Sequence, residues 1–357
     1  MTDDYVLRRD AARLLRARGD VIAEAVTDEF LRRHADWITR YGDRAKVRGI
    51  EDARFHVEFL AGAILADDDR AFEEYAVWTA RVLSARGIAP SFLAENLEQV
   101  AEAAERELTE VAGAFVRRTV SAGIAALGRA PASPGPEGAP GGRFETERRL
   151  YVQAILEGNR RAALNVTLEA LRVGATVADV YVEILQPAQY EVGRLWERSK
   201  ITVAKEHMAT AVTQYVVAQL YPRLEVPDTV RGNALITGVR GELHQLGANM
   251  VADVLESDGW NTRFLGTQLP HQDVLDAIGE HAPRLLGISA TVLFNLPAVA
   301  DLIEDVRRVH GTEVTILVGG GAFRANPDTW KELGADACGR DLRHAVELAN
   351  QLLPSGE

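Results

Sequence analysis

The 357-residue chain has one cysteine, Cys338. A single thiol excludes a disulfide framework and any multi-thiolate metal centre within the chain, and it makes a cytoplasmic location the default. No apolar run approaches the length of a membrane span, and the N-terminal MTDDYVLRRD lacks the apolar core of a signal peptide. Positive charge is in deficit, with 40 Lys and Arg against 52 Asp and Glu and a formal net charge of −12. Such a surface repels phosphates on average, which argues against direct binding of nucleic acid or of anionic membranes. Nucleotide signatures are missing too. No G-x-G-x-x-G follows the first apolar run of the C-terminal third, and no Lys-Ser/Thr follows the triple glycine at Gly319–Gly321. What remains is ordinary for a soluble globular chain, 47% hydrophobic and 26% charged, and long enough for two or three cores.

Composition divides the chain. Residues 1–128 are rich in Ala, Leu, Arg and Glu and read as all-helical. Phe55, Phe59, Leu60, Ala63 and Ile64 fall on one helical face, Gly87 reads as a C-cap and Ser91 as an N-cap. The stretch from Ser91 to Leu127 fits one or two long helices. Residues 129–143, RAPASPGPEGAPGGR, form a Pro/Gly/Ala linker without apolar periodicity. Residues 144–225 return to helical patterning, with breaks near Gly158, Gly174 and ERSKIT. Residues 231–353 alternate short apolar runs with helical segments. NALITGV, NTRFLG, LLGISAT, VTILVGG and ADACG read as strands, with helices starting near Gln245, Pro270, Asn295 and Asn326. Such alternation implies a doubly wound parallel sheet. The expected fold is therefore multidomain, α followed by α/β.

Three groups of residues carry chemistry. Glu242, His244 and Gly247 form E-x-H-x-x-G on the loop after the first strand. A neutral imidazole suits a borderline metal such as cobalt, and a carboxylate two residues back can take the hydrogen bond of the other ring nitrogen. Ser289 and Thr291 end a later strand with hydroxyls. Gly319 and Gly320 end the next, where a flat ligand could come close to the backbone. Upstream, Trp196 is followed nine residues later by Glu206-His207, an apolar lid with a carboxylate that suits ribose hydroxyls.

Taken together, D/E-x-H-x-x-G, the serine element and Gly-Gly resemble the cobalamin (B12)-binding domain over residues 231–353, with Glu242 where the family usually has aspartate. The resemblance implies that His244 binds cobalt from below and that the displaced nucleotide tail passes Ser289 and the glycines. W-x9-EH in a helical bundle just upstream resembles the cap of CarH-type photoreceptors, in which the tryptophan and glutamate enclose the adenosyl group. One departure stands out. The residue after the tryptophan is a cobalt-binding histidine in CarH but Glu197 here, so His207 or water would take the upper position after loss of the adenosyl group.

The N-terminal segment has the look of a degenerate globin, and a helical sensor, linker, cap and B12 domain in this order resemble the photocobilins, which pair B12 with a bilin. That resemblance implies a non-covalent biliverdin as second chromophore, with His56, Arg54, Phe59, Trp78 and Arg81 as the candidate pocket. Cys338, the sole thiol, lies far away in the sequence. The expected function is a light-responsive cobalamin sensor rather than an enzyme, losing its adenosyl group in light and signalling through a homo-oligomer or a separate partner. The alternative is a corrinoid carrier for methyl transfer.

Overall fold

A computed structural model describes residues 3–129, 143–228, 230–324, 326 and 328–354. The linker expected at 129–143 lies, but for its two ends, outside the described residues. The chain divides into two compact units. One comprises Met1–Ala132, Val292–Asp301 and Gly321–Leu333; the other comprises Ser133–Thr291, Leu302–Gly320 and Gly334–Glu357. Among the described residues no helix is long and apolar enough to cross a membrane.

The first unit is built on α1 (Asp3–Ala17), α2 (Gly19–Arg33), α3 (Asp36–Tyr41), α4 (Arg44–Leu65), α5 (Asp69–Ser84), α6 (Pro90–Glu107) and α7 (Glu110–Leu127). The expected single or double helix after Ser91 is double. Thr109 caps the second, its side chain accepting from Ala112 N–H. Ser91 is not the N-cap of the first; Pro90 already occupies the first helical position, where its missing N–H costs nothing. The buried stripe of α4 also differs from the expected one. Ala53, His56, Val57, Leu60, Ala61 and Ile64 are buried, whereas Phe55 is 52% exposed.

Two segments from the C-terminal third belong to this unit through specific contacts. A Cβ on Gly62 of α4 would lie 2.3 Å from the Leu293 carbonyl oxygen, so only glycine permits the approach. The buried Arg8 guanidinium bonds the Leu65 carbonyl at 2.5 Å and both carboxylate oxygens of Glu332 at 3.1 and 3.0 Å. Arg13 Nη2 reaches Asp301 at 2.6 Å.

The second unit opens with α8 (Glu145–Leu156), α9 (Arg160–Arg172), α10 (Val177–Val180), a π-helical turn (Tyr181–Leu185), α11 (Gln186–Glu197) and α12 (Val203–Leu220). Pro187 has no N–H to donate back along the helix, which favours a locally widened turn just before it. These helices pack around Tyr151, Ile155, Val180, Tyr181, Ile184, Leu185 and Val216, all fully buried. The same core takes in Met250, Val254 and Leu342 from the α/β part. A buried hydrogen bond from Tyr181 to the Asp253 carboxylate, 2.7 Å, joins the two parts.

That α/β part runs β1 (Gly232–Gly238), α13 (Leu246–Ser257), β2 (Trp260–Gly266), α14 (His271–His281), β3 (Leu285–Ser289), α15 (Leu296–His310), β4 (Thr315–Gly319), α16 (Thr329–Leu333), β5 (Ala337–Gly339) and α17 (Leu342–Leu352). The strands pair in parallel in the order β2-β1-β3-β4-β5. β1 is followed by β2 on one side, while β3 pairs on its other side, so the order reverses at β1. In parallel sheets the carboxyl ends of the strands at such a reversal are the usual place for a ligand.

Candidate functional site

The sheet register brings the singled-out residues to one line. Gly238 pairs with Ser289, Ser289 with Gly319, and Gly319 with Gly339, so four neighbouring strands end level at the carboxyl edge. Ser289 of β3 and Gly319 of β4 thus come to one row, with Gly320 directly after the latter.

The glycines in this region are of two kinds. Gly320 has φ +108°, and a Cβ there would stand 2.3 Å from the Ala290 carbonyl oxygen. Gly320 therefore lets the turn after β4 press against the end of β3, where Ala290 N–H donates to the Gly319 carbonyl at 2.9 Å, while a Cβ on Gly319 would stand 3.1 Å from the Gly339 carbonyl oxygen of β5. Gly247, in the first turn of α13, has nothing within 4 Å of its would-be Cβ and faces open space. Gly320→Ala is expected to cost roughly 2–4 kcal/mol in urea unfolding, because strain and a backbone clash add. Gly247→Leu is expected to leave the unfolding midpoint nearly unchanged but to block a planar ligand lying over that helix start. Equal stability loss in both variants would contradict this division.

His244 lies on the loop between β1 and α13 with its side chain 60% exposed, while Glu242 beneath it is fully buried. Glu242 Oε1 accepts from the His244 backbone N–H at 2.7 Å and lies 2.7 Å from His244 Nδ1. Glu242 Oε2 accepts from Thr291 N–H at 2.5 Å. One carboxylate therefore ties the loop after β1 to the loop after β3 across the point where strand order reverses. Burial pushes the Glu242 carboxyl up, but the bonds from His244 and Thr291 outweigh it, and the net shift is downward. The hydrogen bond to Glu242 raises the imidazole of His244 against the opposing effect of burial, with the charges of Glu242 and Glu206 adding to the rise. With Nδ1 engaged by a carboxylate, the proton sits on that side in the neutral ring, and Nε2 offers its lone pair outward.

Thr202 caps α12, accepting from Lys205 N–H. Glu206 is half-buried, and its Oε2 meets Nδ1 of His207, whose own side chain is 76% exposed. Trp196, half-buried, stands at the end of α11. The role of the Thr291 backbone is one that sequence reading missed; the hydroxyl drew attention, but the N–H carries the contact.

These features meet the needs of a corrin ring with a cobalt centre. The imidazole is oriented and exposed, the helix start beside it is bare at Gly247, and Gly238, Gly319 and Gly339 end three of the four level strands. A B12 binding domain model matches residues 232–349, and a second B12 binding domain model matches residues 147–221. The chain carries B12-binding domains.

Relatives agree with this assignment. Dimethylamine corrinoid protein 3 of Methanosarcina acetivorans is 26% identical over 189 residues, 52% of this chain and 87% of the relative. Its namesake in Methanosarcina mazei is 28% identical over 167 residues, 46% of this chain and 98% of the relative. The solved monomethylamine corrinoid protein of Methanosarcina barkeri shares the fold at TM-score 0.53 and 22% identity, covering 58% of this chain and 99% of its own. Both matched domains lie downstream of α7, and together they support cobalamin binding by this part of the chain.

The residues expected at a bilin pocket lie in the first unit. Phe59 stacks on Tyr75 with ring centroids 3.7 Å apart, Trp78 lies 6.3 Å from the same ring, and His56 Nδ1 is 2.7 Å from the Tyr75 hydroxyl. Burial lowers His56 to about 4, so its ring is neutral near pH 7. Arg54 is 56% exposed and pairs with Asp20 at 3.0 Å. Arg81 is half-buried on α5.

Proposed function

We propose that this chain is a corrinoid protein that holds cobalamin with His244 Nε2 as the lower cobalt ligand, and that it serves as a carrier in methyl transfer. The observation that carries the reading is the likeness to relatives named as dimethylamine corrinoid proteins over 87% and 98% of their own lengths. When bound, cobalamin supplies a cobalt centre able to accept and release an alkyl group at its upper position. Glu242 fixes the tautomer and plane of His244. Gly247 leaves the helix start bare for the ring, and Ser289 with Gly319 and Gly320 would receive the nucleotide tail. Trp196 and Glu206 would close the upper side against water.

A second reading is favoured by one feature, the half-buried carboxylate of Glu206 in the first turn of α12, whose charge acts on His244. A small methyl group needs no acceptor for hydroxyls, whereas an adenosyl group does. On this reading the chain is a light-responsive sensor that releases its adenosyl group. Biliverdin, held non-covalently around Phe59, Tyr75 and Trp78, would then widen the absorbed range. Signalling would run through a change of oligomer or a separate partner.

The experiment loads the full chain with adenosylcobalamin, with and without biliverdin, and records spectra and hydrodynamic size in the dark, then under green and red light. A cobalt–carbon bond can break in light without any protein, so the deciding readout is the protein's size. The carrier reading expects no change of size, and it expects methylcobalamin to bind at least as well as adenosylcobalamin. A light-dependent change of size, with red light effective only when biliverdin is present, would replace it with the sensor. Failure to retain either cobalamin would sink both.

A further inference from the structure

β2 ends beside the histidine loop, and it arrives there through a bulge. Ile236 of β1 faces Phe264 but Thr237 faces Gly266, so Leu265 is the extra residue. The Thr237 hydroxyl lies 3.2 Å from the Gly266 carbonyl oxygen, and Gly266 turns at φ +87°. Thr267 then packs so close to the end of β1 that a Cβ on Gly238 would stand 2.6 Å from its Cγ2. The next residue, Gln268, meets the turn that leads to the histidine.

That turn runs from Val239 to Glu242. Glu242 N–H donates to the Val239 carbonyl at 3.0 Å, and Gly241 in third place has φ +94°. A turn closed in this way uses neither the N–H of its third residue nor the second lone pair of its first carbonyl. Gln268 takes both. Its Oε1 accepts from Gly241 N–H at 2.9 Å, and its own backbone N–H reaches the Val239 carbonyl at a longer 3.4 Å. A backbone N–H can only donate, so the Gln268 side chain must turn its carbonyl, not its NH2 group, toward Gly241. Gln268 makes these contacts at φ +67°, a left-handed conformation that costs a glutamine free energy and persists only where the surroundings hold it. Burial does not explain that cost, because Gln268 is exposed.

From this geometry we infer that Gln268 is a positioning residue for His244. It holds the turn from the β2 side, while Glu242 holds the same loop from the β3 side through Thr291 N–H. His244 follows shortly after both ties. The place from which its imidazole reaches out is therefore set before a ligand arrives, which reduces the ordering cost of binding. The inference rests on the cobalamin reading above. Water competes for an exposed bond, so the effect is that of one neutral hydrogen bond and smaller than that of the buried Glu242 carboxylate.

The test reads the free chain and the loaded chain separately. In the cofactor-free full chain, amide hydrogen exchange at Gly241 is followed by NMR. Gln268→Gly removes the acceptor and relieves the backbone, so any loss comes from the missing acceptor and not from added strain. It is expected to speed exchange at Gly241 about fivefold, the scale of one neutral hydrogen bond. In the loaded chain, the same variant should raise the dissociation constant for hydroxocobalamin by a similar factor. After reduction to cobalt(II), electron paramagnetic resonance with isotope-labelled histidine should show imidazole coupling in only part of the variant's cobalt. Gln268→Glu keeps an acceptor oxygen at the same reach and should restore all three readings. Weaker cobalamin binding with exchange and coupling as in the wild type would make Gln268 a direct contact of the cofactor and overturn the inference. Faster exchange with affinity and coupling unchanged overturns it too, since the tie would then serve the turn alone. A wild-type chain whose cobalt signal carries no imidazole coupling removes the cobalamin reading and the inference with it. Wild-type coupling, with a Gln268→Gly variant that matches it in every reading, removes the inference alone.

Discussion

Replacing His244 by alanine is expected to weaken cobalamin binding at least about a hundredfold, since loss of groups that merely orient a metal ligand already costs ten- to a hundredfold. The fold should survive the change. The His244 side chain is 60% exposed, so little packing is lost, and exposed substitutions usually stay within about 0.5 kcal/mol. Glu242 would lose its bond to Nδ1 but keep the backbone N–H groups of residues 244 and 291. Any cobalamin still retained should show the spectrum of a water-ligated or base-on form, because no imidazole from the protein reaches cobalt. Absorption spectroscopy after gel filtration decides the matter. A variant with a wild-type spectrum and affinity would remove His244 from the metal.

Much of this geometry was legible in the sequence, for identifiable reasons. The strands of the α/β part are short apolar runs ended by glycine or polar residues, so their order along the chain could be read directly. Their lateral order, and the register that levels Gly238, Ser289, Gly319 and Gly339, could not, because hydrogen-bond pairing leaves no local pattern. His244 and Glu242 are two residues apart, and a contact so close in sequence is constrained by the loop itself. The bond from Glu242 to Thr291 spans 49 residues and uses a backbone N–H, a group that every residue but proline carries. No side-chain identity could announce it.

The helical parts repeat the lesson. The breaks at Gly158 and Gly174 were visible because both glycines sit at positive φ after a helix, +70° and +91°. The π-helical turn at Tyr181–Leu185 was not, since one widened turn shifts the periodicity without erasing it. Phe55 was placed with Phe59 on the inner face by spacing alone. In the structure it is exposed, with its ring 6.4 Å from that of Phe294, and the neutral, buried His56 takes the inner position. Helical spacing assigns a face only to within a residue, and a large apolar side chain one step off can pack along the surface instead. The bundle hydrogen bonds from Thr210 to Gln189, from Gln189 to Thr213 and from Tyr151 to Thr213 lay beyond sequence reading altogether. Threonine and glutamine on bundle helices are common, and their meaning comes only from which lone pairs they share.

Glu242→Gln is expected to be nearly as damaging to cobalamin binding as loss of the histidine itself, although it changes only one atom and the charge. The wild-type carboxylate is fully buried and meets three N–H donors: His244 Nδ1–H and His244 N–H at Oε1, and Thr291 N–H at Oε2. An amide has one acceptor oxygen. Turned with its oxygen toward His244, it sets its NH2 group against Thr291 N–H. Turned the other way, it faces both donors of His244. Either orientation leaves at least one buried donor unsatisfied, which costs about 1–3 kcal/mol of stability. The second arrangement also lets the imidazole rotate or change tautomer. The neutral amide would draw less electron density toward the ring, so His244 becomes a weaker ligand even where its position survives. The expected result is a ten- to hundredfold loss of affinity together with a lower unfolding midpoint in the cofactor-free chain. Glu242→Asp tests the same bond from the other side. Aspartate keeps both acceptor oxygens but reaches less far by one methylene, so it should retain the tie to His244 and weaken the one to Thr291. Affinity should then fall less than in the glutamine variant. If Gln and Asp behave alike, the charge and acceptor count at this position are not what orients the histidine, and the tie between the β1 and β3 loops would be a feature of the fold alone.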